Sequence, residues 1–389
     1  CMLACIYQKQ TPVDIPEAES RILQDVLNLP YGVEIYSLLL RWNPLRRRSP
    51  GMPADNGYKI AVMGLGPAGI AMTQQMLQAG YTVAAFDGLK LDPPTFDPLQ
   101  PVKSFDDFCS PLSQRQVTGF GGVAEYGITV RWNKNYLNLV LLCLLRYKNF
   151  QAIGSVRFGG SLTVESTRRY GFDHLCLAVG AGLPQAINVD NSLAPGMRMA
   201  SEFLMTLHLQ APQRLENIAA LQIDLPLVVV GGGLTAIDTA TEAQAYYLEM
   251  IVKVYMQFNS LSDNNKQKLE QSLSPNDWQR IMRYCQHAKL WQGELQLAAS
   301  QERAPDATGF IKRWGGVTII YRRRIQDSPA YRDFTSEIQE ALNQGVSYME
   351  NLQPVRAILD NSGQVKALDC LQAEYNPDWQ LTDQEYQIP

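Results

Sequence analysis

Residues 60–69 read Ile-Ala-Val-Met-Gly-Leu-Gly-Pro-Ala-Gly, an apolar run followed by three glycines in the spacing G-x-G-x-x-G. In a dinucleotide-binding turn, Gly64 allows the tight bend, Gly66 lets a pyrophosphate approach the backbone, and Gly69 lets the next helix pack on the strand. That helix begins with Pro67-Ala68, and its N-terminus offers unpaired N–H groups and a partial positive charge to phosphates. The stretch therefore predicts a phosphate-binding turn, the alternative being a glycine-rich turn without a ligand.

The flanking sequence gives this turn the context of a β-α-β unit. The pattern predicts a strand over residues 59–63, a helix over residues 67–78 and a second strand over residues 81–86. Asp87 follows the second strand, 23 residues after Gly64. A carboxylate at this distance can accept hydrogen bonds from a ribose, which supports a nucleotide site with a free 2′-hydroxyl.

A second copy of the motif begins at Val228 and follows the variant G-x-G-x-x-A. Its candidate nucleotide-binding residues are Gly231, Gly233, Thr235 and Ala236. Its second strand, predicted over residues 317–321, ends in Arg322-Arg323-Arg324 instead of an acid. Arginines can hold a 2′-phosphate, so Arg322 and Arg323 indicate NADP(H) in preference to NAD(H). The alternative is a solvated strand end.

Two dinucleotide motifs in one chain indicate a flavoprotein reduced by a pyridine nucleotide, with FAD in the first and NADPH in the second. Hydride transfer between two cofactors needs no catalytic side chain from the protein, so none is predicted. The three histidines, His174, His208 and His287, form no ligand pair. The sequence also contains no C-x-x-C, which argues against the redox disulfide of a thioredoxin-reductase-like enzyme.

Composition excludes several other classes of protein. Of 389 residues, 46% are hydrophobic and 19% are charged, which excludes intrinsic disorder. The net charge of −4 argues against nucleic acid as the main partner. The longest apolar run, residues 137–145, is too short for a membrane span and predicts a buried or partner-facing helix. Seven cysteines without regular spacing favour a reduced, cytoplasmic protein.

The predicted fold is α/β, with two Rossmann-like dinucleotide-binding domains and a short helical N-terminal segment. We assign residues 1–57 to that segment and a linker, residues 58–210 to an FAD-binding domain and residues 211–389 to an NAD(P)H-binding domain. The second domain contains a helix-rich insertion over about residues 243–312. For this insertion we expect surface decoration, with a lid or a partner-docking role as the alternatives.

Further segments carry a family resemblance. Between the two glycine turns lie Gly-Gly-Val-Ala-Glu-Tyr-Gly-Ile at 121–128 and Asp-His-Leu-Cys-Leu-Ala-Val-Gly at 173–180, and after them come Tyr-Arg-Arg at 321–323 and Ser-Pro-Ala at 328–330. In this order the set resembles the small, NADPH-oxidising subunit of glutamate synthase and its FAD-dependent, Fe–S-associated relatives. The resemblance covers almost the whole chain.

The resemblance implies further cofactor-binding residues in the first domain. The 121–128 segment of that family lies against the flavin, and the 173–180 segment passes near the cofactor. The residues carried over to this sequence are Gly121, Gly122, Tyr126, Gly127 and Ile128 at the isoalloxazine with Arg131 close by, and Ala178 and Gly180 at the late strand.

The same family has an N-terminal region that binds two [4Fe–4S] clusters. Cys1 and Cys5 resemble the end of such a region and are possible iron–sulfur ligands, although two thiolates cannot hold a cluster that needs four. As an alternative they are free cysteines. The family also closes its nucleotide domain with a further strand, and residues 387–389 resemble the approach to it. We therefore expect a chain truncated at both ends.

The resemblance implies an electron-input unit that passes electrons from NADPH through FAD and Fe–S clusters to an acceptor. The expected partner is a glutamate synthase large subunit or another electron-acceptor protein. One alternative keeps the module and changes the acceptor, as in pyrimidine-reducing or ferredoxin-linked relatives. Another is a non-catalytic scaffold that has lost its flavin.

Overall fold

The computed structural model describes residues 6, 13, 15–42, 53–109, 135–180, 186–210, 212, 215, 217–218, 221–333, 335–374 and 380–389. Packing contacts divide the chain into two compact units. The described residues up to Gly180 belong to the first unit, and those from residue 186 onward belong to the second. The functional boundaries that we assign from the sequence stay a prediction. Both units contain a parallel sheet with helices, as predicted for a pair of Rossmann-like domains.

The first unit opens with two helices and continues into a four-stranded parallel sheet of order β3-β2-β1-β4. Its elements are α1 (Ile15–Leu27), α2 (Gly32–Arg41), β1 (Lys59–Met63), α3 (Pro67–Gln78), β2 (Thr82–Phe86), a 3₁₀ turn (Phe105–Phe108), α4 (Tyr136–Leu145), β3 (Phe150–Ile153), α5 (Val164–Arg169) and β4 (His174–Leu177). The predicted bounds of β1 and α3 are confirmed. Strand β2 begins one residue late because the Tyr81 N–H bonds back to the Met76 carbonyl at the end of α3.

Strand β1 lies at the centre of this unit and is covered on both faces, as parallel strands usually are. Ile60 and Val62 pack with side chains that include Leu141 of α4, whereas Ala61 and Met63 pack on the opposite side. The apolar run at 137–145 is therefore mainly a core helix. None of the helices among the described residues is both long enough and apolar enough to cross a membrane.

The second unit contains a parallel sheet of order β5-β6-β7 and a separate antiparallel sheet of order β10-β9-β8. Its helices are α6 (Ala200–Gln210), α7 (Leu234–Ser260), α8 (Asp263–Ser272), α9 (Pro275–Ser300), α10 (Ala307–Arg313), α11 (Pro329–Asp333) and α12 (Thr335–Asn343). Its strands are β5 (Leu227–Val230), β6 (Val317–Ile320), β7 (Ser347–Met349), β8 (Leu352–Leu359), β9 (Val365–Ala373) and β10 (Leu381–Ile388). A 3₁₀ turn, Ile325–Asp327, precedes α11.

The antiparallel sheet includes residues 387 and 388, and the interpretation of residues 387–389 as an approach to a further strand stays a prediction. Gln387 and Ile388 themselves lie in β10, where they pair with Asp369 and Leu368 of β9. Ile388 is buried with side chains of β8 and β9. Ile388 therefore belongs to a core that also contains Ile320 of β6.

The predicted insertion is helical. Helix α7 continues into it as far as Ser260 and packs against the long helix α9. Asp224, just before β5, forms an ion pair with Arg280 (Nε–Oδ2 at 2.9 Å) and accepts a hydrogen bond from the Tyr284 hydroxyl at 2.8 Å, both on α9. These contacts fix α9 to the chain that leads into the parallel sheet. The role of the insertion stays a prediction.

Candidate functional site

The first glycine turn joins β1 to α3 and leaves no space for side chains. Gly64 has φ +101°, and a Cβ atom there would lie 2.3 Å from the Ala178 carbonyl oxygen. A Cβ atom on Gly69 would lie 1.7 Å from the Gly64 carbonyl oxygen. The Ala178 N–H also donates to the Met63 carbonyl at 2.8 Å. The structure thus places Ala178, predicted from the resemblance, directly against this turn.

The start of α3 has the backbone geometry of an anion site. Gly66 caps the helix in an extended conformation, φ −72° and ψ −175°, and, being a glycine, provides no capping side chain. Pro67 and Ala68 are exposed at the first two helical positions. Because the N-cap residue leaves the N–H groups of this N-terminus uncapped, they can bind phosphate oxygens. The residues present therefore fit a pyrophosphate.

Asp87 is buried beside this turn, and both of its carboxylate oxygens accept backbone hydrogen bonds. Oδ2 accepts from the Leu65 N–H at 2.8 Å, and Oδ1 accepts from the Leu89 N–H at 2.8 Å. Each oxygen keeps a second lone pair, so it can still accept a hydrogen bond from a ribose hydroxyl. The sequence analysis gave Asp87 only the ribose role, and the structure adds a bond to the turn itself.

The remaining predicted residues of the first unit differ in what the structure shows of them. Gly180 has φ +71° beyond the end of β4, with open space around the position of a Cβ atom. Other predicted residues lie outside the described residues, so their placement stays a prediction: Cys1, Cys5, Gly121, Gly122, Tyr126, Gly127, Ile128 and Arg131.

The second glycine turn joins β5 to α7 and is enclosed by the segment that follows β6. A Cβ atom on Gly232 would lie 2.5 Å from the Tyr321 ring, and the Gly232 carbonyl accepts from the Ala330 N–H at 3.2 Å. Tyr321 and Ala330 belong to two separate stretches of the family resemblance. The sequence analysis gave Gly232 no role of its own, although the three consecutive glycines were a usable signal for such close packing.

Gly233 caps α7, as Gly66 caps α3, in an extended conformation with φ −94° and ψ 173° and without a side-chain cap. A Cβ atom on Gly233 would meet no atom of the described residues within 4 Å. Thr235 is half-buried, and its carbonyl accepts from Thr239 Oγ1 at 2.7 Å. Ala236 is buried, and its Cβ atom lies 3.4 Å from where a Cβ on Gly231 would be. The open side of this turn is therefore at Gly233.

The three consecutive arginines after β6 have different environments. Arg322 is exposed and Arg323 is half-buried. Arg324 forms a two-point ion pair with Asp327, with Nε–Oδ2 at 2.9 Å and Nη2–Oδ1 at 3.2 Å. The Asp327 carboxylate therefore engages the third arginine, and Arg322 is the most exposed of the three.

The difference between Gly232 and Gly233 gives a test of the second site. We expect Gly233→Ala to leave thermal stability unchanged, since the methyl group fits the protein, and to weaken NADPH binding about tenfold or more, since it blocks the phosphate from the N–H groups. Titration of NADPH followed by fluorescence measures the affinity. Gly293→Ala on α9, where a Cβ also meets open space, is the matched control. Unchanged NADPH affinity in the Gly233 variant would contradict the assignment.

The described cysteines are not paired in disulfides. They are Cys109, Cys143, Cys176, Cys285 and Cys370. Burial raises the pKa of Cys143 and of Cys370 to about 11, which keeps both thiols protonated at neutral pH. Within the described ranges, no three histidine, cysteine, aspartate or glutamate side chains are grouped to hold a metal ion.

Comparison with known proteins agrees with this arrangement. Residues 58–372 match the family model described as pyridine nucleotide-disulphide oxidoreductase. An uncharacterized protein of Rickettsia prowazekii, RP006, is 40% identical over 369 residues, which cover 95% of this chain and 50% of that protein. The chain thus spans about half the length of the curated relative it matches.

Solved structures with a similar fold share little sequence with the chain. FprA from Mycobacterium tuberculosis in complex with NADPH is 13% identical with a TM-score of 0.47, covering 85% of this chain and 68% of FprA. Lactococcus lactis thioredoxin reductase is 11% identical with a TM-score of 0.37, covering 85% of this chain and 75% of the reductase. The family match over residues 58–372 is independent of these likenesses, and binding of FAD and NADP(H) fits that family. The chain belongs to the pyridine nucleotide-disulphide oxidoreductase family.

Proposed function

We propose that the chain is an FAD-dependent NADPH oxidoreductase that serves as the electron-input unit of a glutamate-synthase-like complex. The observation that carries the proposal is the difference between its two glycine turns. In the first, the carboxylate of Asp87 hydrogen-bonds to the turn, and in the second, Arg322 and Arg323 follow the equivalent strand. A carboxylate suits a ribose with a free 2′-hydroxyl, as in FAD, and arginines suit a 2′-phosphate.

In this proposal the chain binds and orients two nucleotides. Gly64, Gly66, Gly69 and Asp87 hold FAD, and the N-terminus of α3 holds its pyrophosphate. The turn at residues 231–233 and the arginines after β6 hold NADPH. The cofactors themselves supply the hydride transfer, so the protein contributes positioning and exclusion of water.

Cys1 and Cys5 are proposed as two ligands of an iron–sulfur cluster, which would supply the route by which electrons reach an acceptor. The proposed partner is a glutamate synthase large subunit or another electron-acceptor protein, and the proposed location is the cytoplasm.

An anaerobic visible spectrum tests the core of the proposal. The protein is recorded before and after addition of NADPH, with NADH added to a parallel sample. We expect the absorption bands of an oxidised flavin, bleached at lower concentrations of NADPH than of NADH, and in a form extended at the N-terminus a broad iron–sulfur shoulder. A protein that neither retains nor takes up FAD would overturn the enzymatic reading and leave a scaffold.

The choice of NADPH over NADH is tested at Arg322. We expect Arg322→Ala to raise the KM for NADPH about tenfold or more, because a charge-assisted hydrogen bond to the 2′-phosphate is lost, and to change the KM for NADH little. Steady-state kinetics with both nucleotides and an artificial acceptor measures this. Arg313→Ala is the control, since Arg313 precedes β6 at its amino end whereas Arg322 follows its carboxyl end. Equal changes for both nucleotides would remove the 2′-phosphate assignment.

A further inference from the structure

The segment that follows β6 carries more positive charge than the two arginines assigned above. Arg322, Arg323, Arg324 and Arg332 lie within eleven consecutive residues. The carboxylates tied into the same segment are Asp327, paired with Arg324, and Glu350, whose Oε1 accepts from the Ile325 N–H at 2.6 Å. Four guanidinium groups thus lie on a short stretch of chain, where they can attract a phosphomonoester, whose charge is about −1.5 to −2 at neutral pH.

Hydrogen bonds hold this segment in one shape. The Arg324–Asp327 ion pair closes the 3₁₀ turn over residues 325–327, and Glu350 anchors its first N–H group. Arg324 therefore stabilises the conformation of the segment through its ion pair with Asp327.

The short helix α11 is attached to the second glycine turn. The Ala330 N–H donates to the Gly232 carbonyl at 3.2 Å, and the buried Ser328 hydroxyl accepts from the Tyr331 N–H at 3.1 Å. The Arg332 N–H continues the helix by donating to the Ser328 carbonyl at 3.1 Å. Arg332 thus lies two residues beyond a direct contact with the turn, and its side chain is exposed.

The charges of this segment converge on Asp327. Its pKa lies below the usual range, first because of the hydrogen bond from Arg324, and further because of the positive charges of Arg324, Arg323 and Arg332. Arg323 and Arg332 thus both lie near the same carboxylate, although they are nine positions apart. The fold therefore brings Arg332 into the cluster that follows β6.

We propose that Arg332 is a further nucleotide-binding and specificity-determining residue, which together with Arg322 and Arg323 binds the 2′-phosphate of NADPH, whereas Arg324 and Asp327 position the segment. This inference rests on the proposed NADPH site. Arg332 is not among the residues predicted from the sequence, and it lies on a separate helix, away from the three consecutive arginines. The hydrogen bond between Ala330 and Gly232 brings that helix to the site.

The test uses two nucleotide fragments as probes and needs no turnover. Calorimetric titration with adenosine 2′,5′-bisphosphate and with adenosine 5′-monophosphate compares the intact protein with Arg332→Ala, Arg332→Lys and the control Arg313→Ala. We expect Arg332→Ala to weaken binding of the bisphosphate about tenfold and of the monophosphate less than twofold, since only the 2′-phosphate contact is lost. Arg332→Lys keeps the charge and should recover part of the loss. Arg313→Ala should bind both probes as the intact protein does.

The outcomes separate this inference from the function on which it rests. An intact protein that binds the two probes equally would overturn the NADPH assignment itself. An intact protein that prefers the bisphosphate, with the same preference in Arg332→Ala, would overturn the role of Arg332 alone. Equal weakening of both probes in Arg332→Ala would also overturn it, because that result indicates a distorted glycine turn instead of a lost phosphate contact.

Discussion

Replacing Gly69 with alanine is expected to abolish FAD binding and to destabilise the first unit by about 3 kcal/mol or more. The reason is the 1.7 Å separation between a Cβ atom at this position and the Gly64 carbonyl oxygen. The Cβ atom is attached directly to the backbone and the Gly64 oxygen is part of it, so no side-chain rotation can relieve the clash. Helix α3 would have to move away from β1, which removes the phosphate-binding N-terminus together with packing of the buried core.

Flavin content after purification and thermal unfolding of the flavin-free protein measure the two effects of Gly69→Ala separately. Gly160→Ala is the matched control, because its Cβ atom would meet only the Arg157 carbonyl oxygen at 3.7 Å and its φ is not in the left-handed region. The control should keep both flavin and stability. A Gly69→Ala protein with normal flavin content would contradict the assignment of this turn to FAD.

The glycine turns could be predicted from sequence because their constraints are local. Gly64 and Gly69 are needed for a bend and a helix contact within a few residues of one another, and the spacing alone specifies them. The contact between Gly232 and Tyr321 joins residues far apart in the sequence. Only the pairing of β5 with β6 brings them together, so the spacing of the glycines indicates that the turn is tight but not what encloses it.

The antiparallel sheet was missed for a related reason. Strand β8 contains Pro354, which normally argues against a strand interior, and its pairing with β9 shifts register between Pro354 and Arg356. A register shift interrupts the alternation of buried and exposed residues on which a strand prediction depends. The strands of the two β-α-β units have regular hydrophobic patterns, and their predicted bounds agree with the structure to within about one residue. Helix α3 also has its predicted bounds, whereas α7 extends far beyond the glycine turn.

Asp87 provides the second large effect, because the structure gives this carboxylate two roles. We expect Asp87→Asn to destabilise the flavin-free protein by about 1–3 kcal/mol, since the asparagine NH₂ group must face one of the two N–H donors that now point at oxygen. The affected donors are the Leu65 N–H, in the glycine turn, and the Leu89 N–H, both 2.8 Å from the carboxylate. Loss of FAD affinity should follow, because the turn and the ribose contact depend on the same group.

Asp173→Asn is the matched control for this change. The Asp173 Oδ2 atom accepts a single hydrogen bond, from the Lys59 N–H at 2.8 Å, at the exposed start of β1. An asparagine oxygen can accept that bond, so the control should unfold at nearly the same temperature as the unchanged protein. Thermal unfolding without flavin isolates the turn contact, and FAD titration of the same samples measures binding. If Asp87→Asn weakens FAD binding but leaves the flavin-free stability equal to that of the control, Asp87 acts on the ribose alone. A loss of stability at normal FAD affinity would instead show that Asp87 only stabilises the turn. Another residue would then have to form the hydrogen bond to the ribose 2′-hydroxyl.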